Sequence, residues 1–399
     1  MDAEPGDAEP GDAEPGDADP RWGAAARAEW MLDADFVSVN HGAYGATPRA
    51  VLDAQTAWRA RMEAQPGRFM RAELPGALRA AAARLAAFLG AAADDLAFVA
   101  NATAGCNAVL RSFPFAPGDE ILVLTHGYGA VRNTVRYVAG RAGARMTEAA
   151  IPWPRPAPEA VLAAVVAALS GRTRMAVIDH ITSPSALVLP IAEIVAACRA
   201  RGIAVLVDGA HAPGQVPVDL AALGADWYTG NCHKWLCAPK GAGFLWAAPA
   251  RQAGLHPPVI SHGLDQGFLA EFDWTGTRDP SAFLAVPAAL DFWEGLGGTT
   301  LAARNRTLAA AAGAALAARL GTEVGTDGAG AGSMATVRLP IAPDRAEAFA
   351  ARLLAAGTDA PVHRIGDAAW LRISAQAYNT RADYDRLGEI LARLLETGA

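Results

Sequence analysis

A chain of 399 residues with 34 Lys and Arg against 41 Asp and Glu is long enough to bury roughly three quarters of its unfolded surface and to divide into two domains. The acidic excess sits at one end. The first twenty residues hold eight acids and no base, so the remaining body sets 34 bases against 33 acids and offers no basic footprint for nucleic acid. No apolar run approaches the roughly 18 residues of a bilayer span, the N-terminus lacks the apolar core of a secretory signal, and four cysteines without a CxxC pair point to free thiols. A soluble, cytoplasmic protein is expected.

In chain order, residues 2–20 read DAEPG three times and then DADP. This repeat is too poor in apolar surface to fold, so residues 1–20 are expected to form a solvated, disordered tail. From Arg21 onward helical stretches alternate with short apolar runs: ILVLT at 121–125, MAVID at 175–179, IAVLVD at 203–208 and AGFLWA at 242–247. Such runs are how strands of a mostly parallel sheet read when helices cover both faces. Ala-rich segments at 157–169 and 191–200 supply helices. Right-handed crossovers then line the strand C-termini along one edge, where ligands bind in open α/β sheets. From about residue 290 the pattern changes. A helix near 299–319, MATVRLP at 334–340, a helix near 343–356, WLRISA at 370–375 and a final helix predict a smaller α+β domain. The expected division is an N-terminal segment plus large domain at 21–289 and a small domain at 290–399.

Several motifs fall at the ends of the predicted strands. In VLVDGAHAPG and GNCHKW, a strand delivers Asp208 at its C-terminal end, and Lys234 follows 26 residues later, preceded by His233. Taken alone, that spacing is also met by an ordinary buried Asp and a surface Lys. NATAGCN at 101–107 follows the apolar run LAFVA and opens a helix, whose free N–H groups and positive dipole end suit a phosphate. Asn101 there also reads as a plain helix cap. THGYGA at 125–130, DHITSPSALVLP at 179–190, WTGTRDPSAFLAVP at 274–287, LRISAQAYNT at 371–380 and NHGAYGATP at 40–48 complete the set.

Together these motifs resemble the class V aminotransferase family of fold-type I pyridoxal 5′-phosphate (PLP) enzymes, which includes cysteine desulfurases and isopenicillin N epimerases. The resemblance runs from about residue 30 to the C-terminus, and its wording is closest to the epimerases. It implies PLP held as a Schiff base on Lys234, whose amine must have a lowered pKa to act as nucleophile and base. Asp208 would face the pyridine nitrogen and keep it protonated. Ala102, Thr103, Ala104 and His233 are implied as phosphate ligands, and Tyr128 as the ring stacked on the pyridine. His211 and Ser183 are implied near the 3′-hydroxyl; desulfurases often carry Gln and Asn at those two places, so both are departures. Gly276 and Thr277 would belong to a phosphate loop donated by a neighbouring subunit, making a C2 homodimer with shared sites. Arg372 is implied as the clamp on the substrate α-carboxylate, where its planar fork fits. Asn40, His41 and Tyr44 would line the substrate pocket, although Gly42 and Gly45 also suit a plain turn. Arg68 and Arg71 are candidates for a distal substrate group or simple helix-surface residues.

The partner this predicts is an amino-acid substrate, and three reactions compete: epimerisation, β-elimination of the C–S lyase type and transamination. A persulfide-forming desulfurase needs a thiol in the C-terminal half. No cysteine lies beyond Cys237, and the corresponding segment reads VHRIGDAAWLRIS. Cys232 and Cys237 read as packed thiols. Two rival readings, a non-catalytic PLP-binding protein and a scaffold organised by the acidic tail, find less support. A binder needs no substrate clamp, and the scaffold rests on residues 2–20 alone.

Overall fold

The structure, a computed structural model, describes residues 19–397; most of the tail expected at residues 1–20 therefore lies outside the described residues. β1 (Val37–Ser38) comes first. β2 (Leu96–Val99), β3 (Glu120–Leu124), β4 (Arg145–Ala149), β5 (Thr173–Asp179), β6 (Ala204–Gly209), β7 (Trp227–Asn231) and β8 (Gly243–Ala247) then build a seven-stranded sheet in the order β2-β8-β7-β6-β5-β3-β4. Of these seven, β8 alone runs antiparallel, against both β2 and β7. The fold is α/β with a mostly parallel sheet, as the apolar runs predict. Each of those runs coincides with a strand to within two residues.

Strand alternation divides the core into two layers. Leu122, Leu124, Ile178, Val205 and Val207 point into one buried cluster, and Ile121, Val123, Val177 and Leu206 into the other. Side chains two apart share a face, so Asp179 lies on the side of Val177 and Asp208 on the side of Leu206. That is the face covered by the helix Ala102–Ser112, which contributes Cys106 and Val109 to the same cluster. Asp179 and Asp208 are register partners on adjacent strands. Thus the sheet itself sets two carboxyls side by side under the start of a helix.

Two strands of this sheet do not announce themselves as apolar runs. β4 is an edge strand whose sequence RMTEA is partly exposed, and edge positions tolerate charge. β7 reads WYTGN; its small residues are required because neighbours come close. A Cβ on Gly230 would meet the Phe244 ring at 2.6 Å, and one on Gly105, in the covering helix, would meet Thr229 Oγ1 at 2.1 Å.

The C-terminal small domain contains the helix Thr299–Leu320, β9 (Met334–Leu339), the helix Ala346–Ala355, β10 (Thr358–Asp359), β11 (Val362–Ile365), β12 (Ala368–Ser374) and the helix Arg381–Glu396. β11, β12 and β9 form an antiparallel sheet in that order. The last helix begins with a reciprocal cap between Thr380 and Asp383. β1 pairs in parallel with β10, which draws Val37 and Val39 into the small domain's core. The segment that follows, residues 40–45, is thereby held between the two sheets.

Because Gly105 lets the helix Ala102–Ser112 sit directly on Thr229, Gly105→Ala is expected to cost about 1–3 kcal/mol through overpacking. It should also displace the helix start. Thermal unfolding of the ligand-free variant and a PLP titration check this; wild-type values in both would show that the helix can yield without consequence.

Candidate active site

Beyond the C-terminal edge of β5, β6 and β7 lies a pocket of about 260 Å³. Its floor carries Asp179, Asp208 and Asn231, one side carries Ala102 and Thr103, and Tyr44 and Tyr128 stand at the mouth. Ser183, His211, His233 and Lys234 complete the wall.

Lys234 is buried, and burial together with the nearby Arg372 charge depresses its amine to about 7. Its Nζ lies 3.1 Å from His211 Nε2. His211 Nδ1 accepts the Trp235 indole N–H at 3.4 Å. Burial and the adjacent Lys234 and Arg372 hold His211 well below the usual imidazole range, so the ring is neutral. With Nδ1 accepting, the proton of the neutral ring sits on Nε2 and is donated to the lone pair of an uncharged Lys234.

The two floor carboxyls pull the other way. Burial raises both, and the charge of Asp208 raises Asp179 further. Asp208 Oδ1 accepts the Ala210 N–H at 3.0 Å, and Asp179 Oδ1 accepts the Tyr128 N–H at 3.3 Å. Two adjoining buried carboxyls cannot both ionise without a cation.

At the helix start, the side-chain oxygens of two asparagines take backbone donors. Ala102 N–H donates to Asn231 Oδ1 and Ala104 N–H to Asn101 Oδ1, each at 2.9 Å. Thr103 thus offers the pocket its N–H and hydroxyl, while Ala104 lies outside the wall. His233 donates from Nδ1 to the Ala242 carbonyl at 3.0 Å, and burial lowers it to about 4.

Arg372 is 3% exposed. Its guanidinium donates to the Ser183 carbonyl at 2.6 Å, to Ser183 Oγ at 3.2 Å and to Asn40 Oδ1 at 3.1 Å, while Nε has no partner. No carboxylate lies in ion-pair range of it among the described residues. Burial lowers it to about 10. Asn40 is itself fixed by donating to Asp359 Oδ2 at 2.8 Å.

His41 is not in the pocket. It lies behind Lys234, with Nε2 2.9 Å from the Lys234 carbonyl and Nδ1 3.0 Å from the Tyr378 hydroxyl. Gly45 lets this segment press on the lysine loop: its φ is +70°, and a Cβ there would meet the His233 carbonyl oxygen at 1.8 Å. Arg68 pairs with Glu73 on the surface. Arg71, Trp274 and Thr277 share a depression with no lining residue in common with the Lys234 pocket, and Gly276 lies on the same loop as Thr277. Cys232 and Cys237 are buried free thiols, pushed up by burial.

Asp179 and Asn231 escape a motif reading centred on Lys234. The signal for Asp179 was present, since MAVID ends in an acid as IAVLVD does.

A model of the family described as aminotransferase class V matches residues 41–387. The chain is 37% identical to an isopenicillin N epimerase from Amycolatopsis lactamdurans over 391 residues, 93% of this chain and 98% of that protein. It is 36% identical to a putative L-cysteine desulfhydrase from Oryza sativa subsp. japonica over 408 residues, 92% of this chain and 84% of that protein. A cysteine desulfurase from Escherichia coli shares the fold with a TM-score of 0.77 at 22% identity, covering 94% and 98% of the two chains. The chain belongs to the class V aminotransferase family, and it is a PLP-dependent enzyme.

The residues present fit the cofactor. A nucleophilic amine, a floor of paired carboxyls that calls for a cation and a helix-start hydroxyl with its N–H occupy one pocket. No helix among the described residues is long and apolar enough to cross a membrane.

Only the uncharged amine attacks an aldehyde. Since the folded protein holds Lys234 near 7 against an ordinary 10.5, PLP uptake by ligand-free protein should accelerate from pH 6 to 8 and then level off. Stopped-flow absorbance measures this, and a midpoint near 10 would show that the pocket leaves the amine unperturbed.

Proposed function

We propose that this enzyme inverts the α-carbon of an amino acid or an amino-acid-containing metabolite, in the manner of isopenicillin N epimerase. The observation that carries the amino-acid part is Arg372. A buried guanidinium held only by neutral oxygens is poorly compensated. A substrate α-carboxylate supplies the missing partner bidentately.

The pocket residues take these roles. Asp208, with Asp179 beside it, would hold the pyridine nitrogen. Thr103 and His233 would hold the phosphate, with Ala102 and Ala104 shaping the helix end through their asparagine contacts. His211 and Ser183 would flank the 3′-hydroxyl, and Tyr128 would cover one ring face. When bound, PLP supplies an electron-withdrawing ring that stabilises negative charge at the α-carbon. Lys234 takes the α-proton from its own side, as an amine uncharged near neutrality can. A tyrosine at the mouth, Tyr128 or Tyr44, returns a proton on the opposite side. Asn40 orients Arg372 by accepting from it. Gly276 and Thr277 stand away from this chain's own pocket, which suits a loop offered to the partner's site in a homodimer. Free, buried cysteines suit a reducing, cytoplasmic compartment.

A second reading, β-elimination from a cysteine-like substrate, is favoured by the 36% identity to a protein called a desulfhydrase. Elimination needs a leaving group at the β-carbon and no second proton donor.

Amino acids are screened with the PLP-loaded enzyme in heavy water. The expected outcome is α-deuterium uptake with inverted product and no stoichiometric pyridoxamine phosphate. Pyruvate as product would transfer the assignment to the lyase, and ready conversion to pyridoxamine phosphate reversed by a keto acid would overturn both.

Arg372→Lys keeps the charge and loses the fork. Amino-acid affinity should fall at least about tenfold while PLP affinity stays within about twofold. Spectral titrations give both constants, and equal losses would point to a damaged small domain instead.

A further inference from the structure

Next to the Lys234 pocket the two sheets leave a second concavity of about 450 Å³. Trp153 and Trp370 form its wall, His126 and Pro184 its side nearest the site, and Arg338 and Arg364 its rim. The two indoles meet edge to face with centroids 5.0 Å apart, and His126 meets Trp153 in the same way at 5.3 Å. Trp370 is 2% exposed, and neither its Nε1 nor that of Trp153, both buried, has an acceptor. Both N–H groups are buried behind the wall, so the surface the indoles turn to the cleft is apolar ring.

Three chain segments join this cleft to the site. Trp370 and Arg372 lie two residues apart on one face of β12, a separation of roughly 7 Å. His126 stands two residues before Tyr128. Pro184 follows Ser183, whose carbonyl receives the Arg372 guanidinium. A substrate whose carboxylate sits on Arg372 therefore has its side chain within reach of the cleft. A concavity of this size belongs to the class that takes a ligand far larger than alanine or cysteine.

The rim charges differ in availability. Arg338 is paired with Glu323 at 3.2 Å, and Arg155 also reaches Glu323, at 3.5 Å. Arg364 contacts only the Gly366 carbonyl, at 3.4 Å, and makes no ion pair with Asp367 or any other acid among the described residues. Arg364, an exposed cation in β11 two residues before the turn, is thus free of ion pairs where it borders the cleft.

We propose that this cleft is the enzyme's side-chain subsite, and that the substrate is an amino acid with a long side chain, flat and apolar along its length and ending in an acidic group that meets Arg364. The inference rests on the reading that Arg372 holds the α-carboxylate. In it Trp153 and Trp370 set specificity for the flat portion, and His126 is a wall residue rather than a proton donor.

The probes are L-alanine, S-benzyl-L-cysteine and S-(4-carboxybenzyl)-L-cysteine. Each is titrated against PLP-loaded enzyme by cofactor absorbance, and against ligand-free protein by tryptophan fluorescence. Affinity should rise along that series. Trp153→Ala should weaken both aryl ligands roughly tenfold and leave L-alanine unchanged, which also reports an intact fold. Arg364→Ala, on an exposed hairpin, should weaken only the carboxybenzyl ligand, again by roughly tenfold. Equal affinity for all three probes, or variants that shift all three alike, would overturn the subsite. An Arg364→Ala variant with wild-type affinities would remove the acidic terminus from it. No spectral response to any amino acid, L-alanine included, would instead strike the reading of Arg372 and Lys234 on which the proposal stands.

Discussion

The site depends on one constraint: ionisable groups buried between the large sheet's C-terminal edge and the small domain must compensate one another or be compensated by a ligand. Asp179 and Asp208 are register partners, so strand pairing forces two carboxyls together. Lys234 and Arg372 are buried cations close enough that Arg372 helps depress the lysine. Among the described residues, none of these charges is neutralised by a short ion pair. Without a ligand, burial disfavours the charged forms of both carboxyls and brings the lysine down to about 7. On the proposed reading, a pyridinium beside the carboxyls and a substrate carboxylate beside Arg372 would supply one charge of each sign. The fold therefore holds unfavourable electrostatics in reserve, and ligand binding relieves them.

The segment 37–45 transmits this arrangement between domains. β1 ties it to the small sheet through β10, and Gly45 presses it against the lysine loop. Within five residues of that strand, Asn40 accepts from Arg372 and His41 meets the Lys234 carbonyl. Arg372 and Lys234 come from different domains, yet one short helical turn touches both. A shift of the small domain thus reaches the backbone of Lys234 directly, without passing through the cofactor pocket.

Much of this was legible in the sequence, and the exceptions have physical causes. Apolar runs give away strands buried on both faces, so β3, β5, β6 and β8 were readable. β4, an edge strand, and β7, narrowed by Gly105 and Phe244, were not. The motif resemblance singled out Lys234, Asp208 and Arg372; the structure sets Lys234 and Asp208 in one pocket, with the buried Arg372 charge near enough to act on the lysine. Their neighbours' hydrogen bonds could not be read, because they depend on contacts far apart in sequence. His41 was expected in the pocket because NHGAYGATP resembles the family's substrate loop. Helical geometry instead turns it behind the lysine, where Tyr378 and Gln376 receive it. The helix start suggested three backbone donors for a phosphate. Asn101 and Asn231 take two of them, and only the three-dimensional arrangement reveals that Asn231 is near.

What separates inversion from elimination on this scaffold is the wall opposite Lys234. Removal of the α-proton is common to both and needs only the lysine. Inversion adds a donor on the far side, whereas elimination is completed by departure of the β-substituent. His126 has the right sequence position for such a donor, but its ring is buried against Trp153 and its Nδ1 lies 2.9 Å from Ser185 Oγ. Burial lowers it to about 4, so it carries no spare proton near neutrality. The mouth instead presents Tyr44 and Tyr128, both exposed. A phenol can donate a proton and recover it from solvent at such a position. The same exposure admits water, which an elimination product requires for hydrolysis. The distinction then falls on the substrate: a side chain with no leaving group at its β-carbon cannot be eliminated, whereas a cysteine thioether can be either inverted or eliminated, so the product decides between the two.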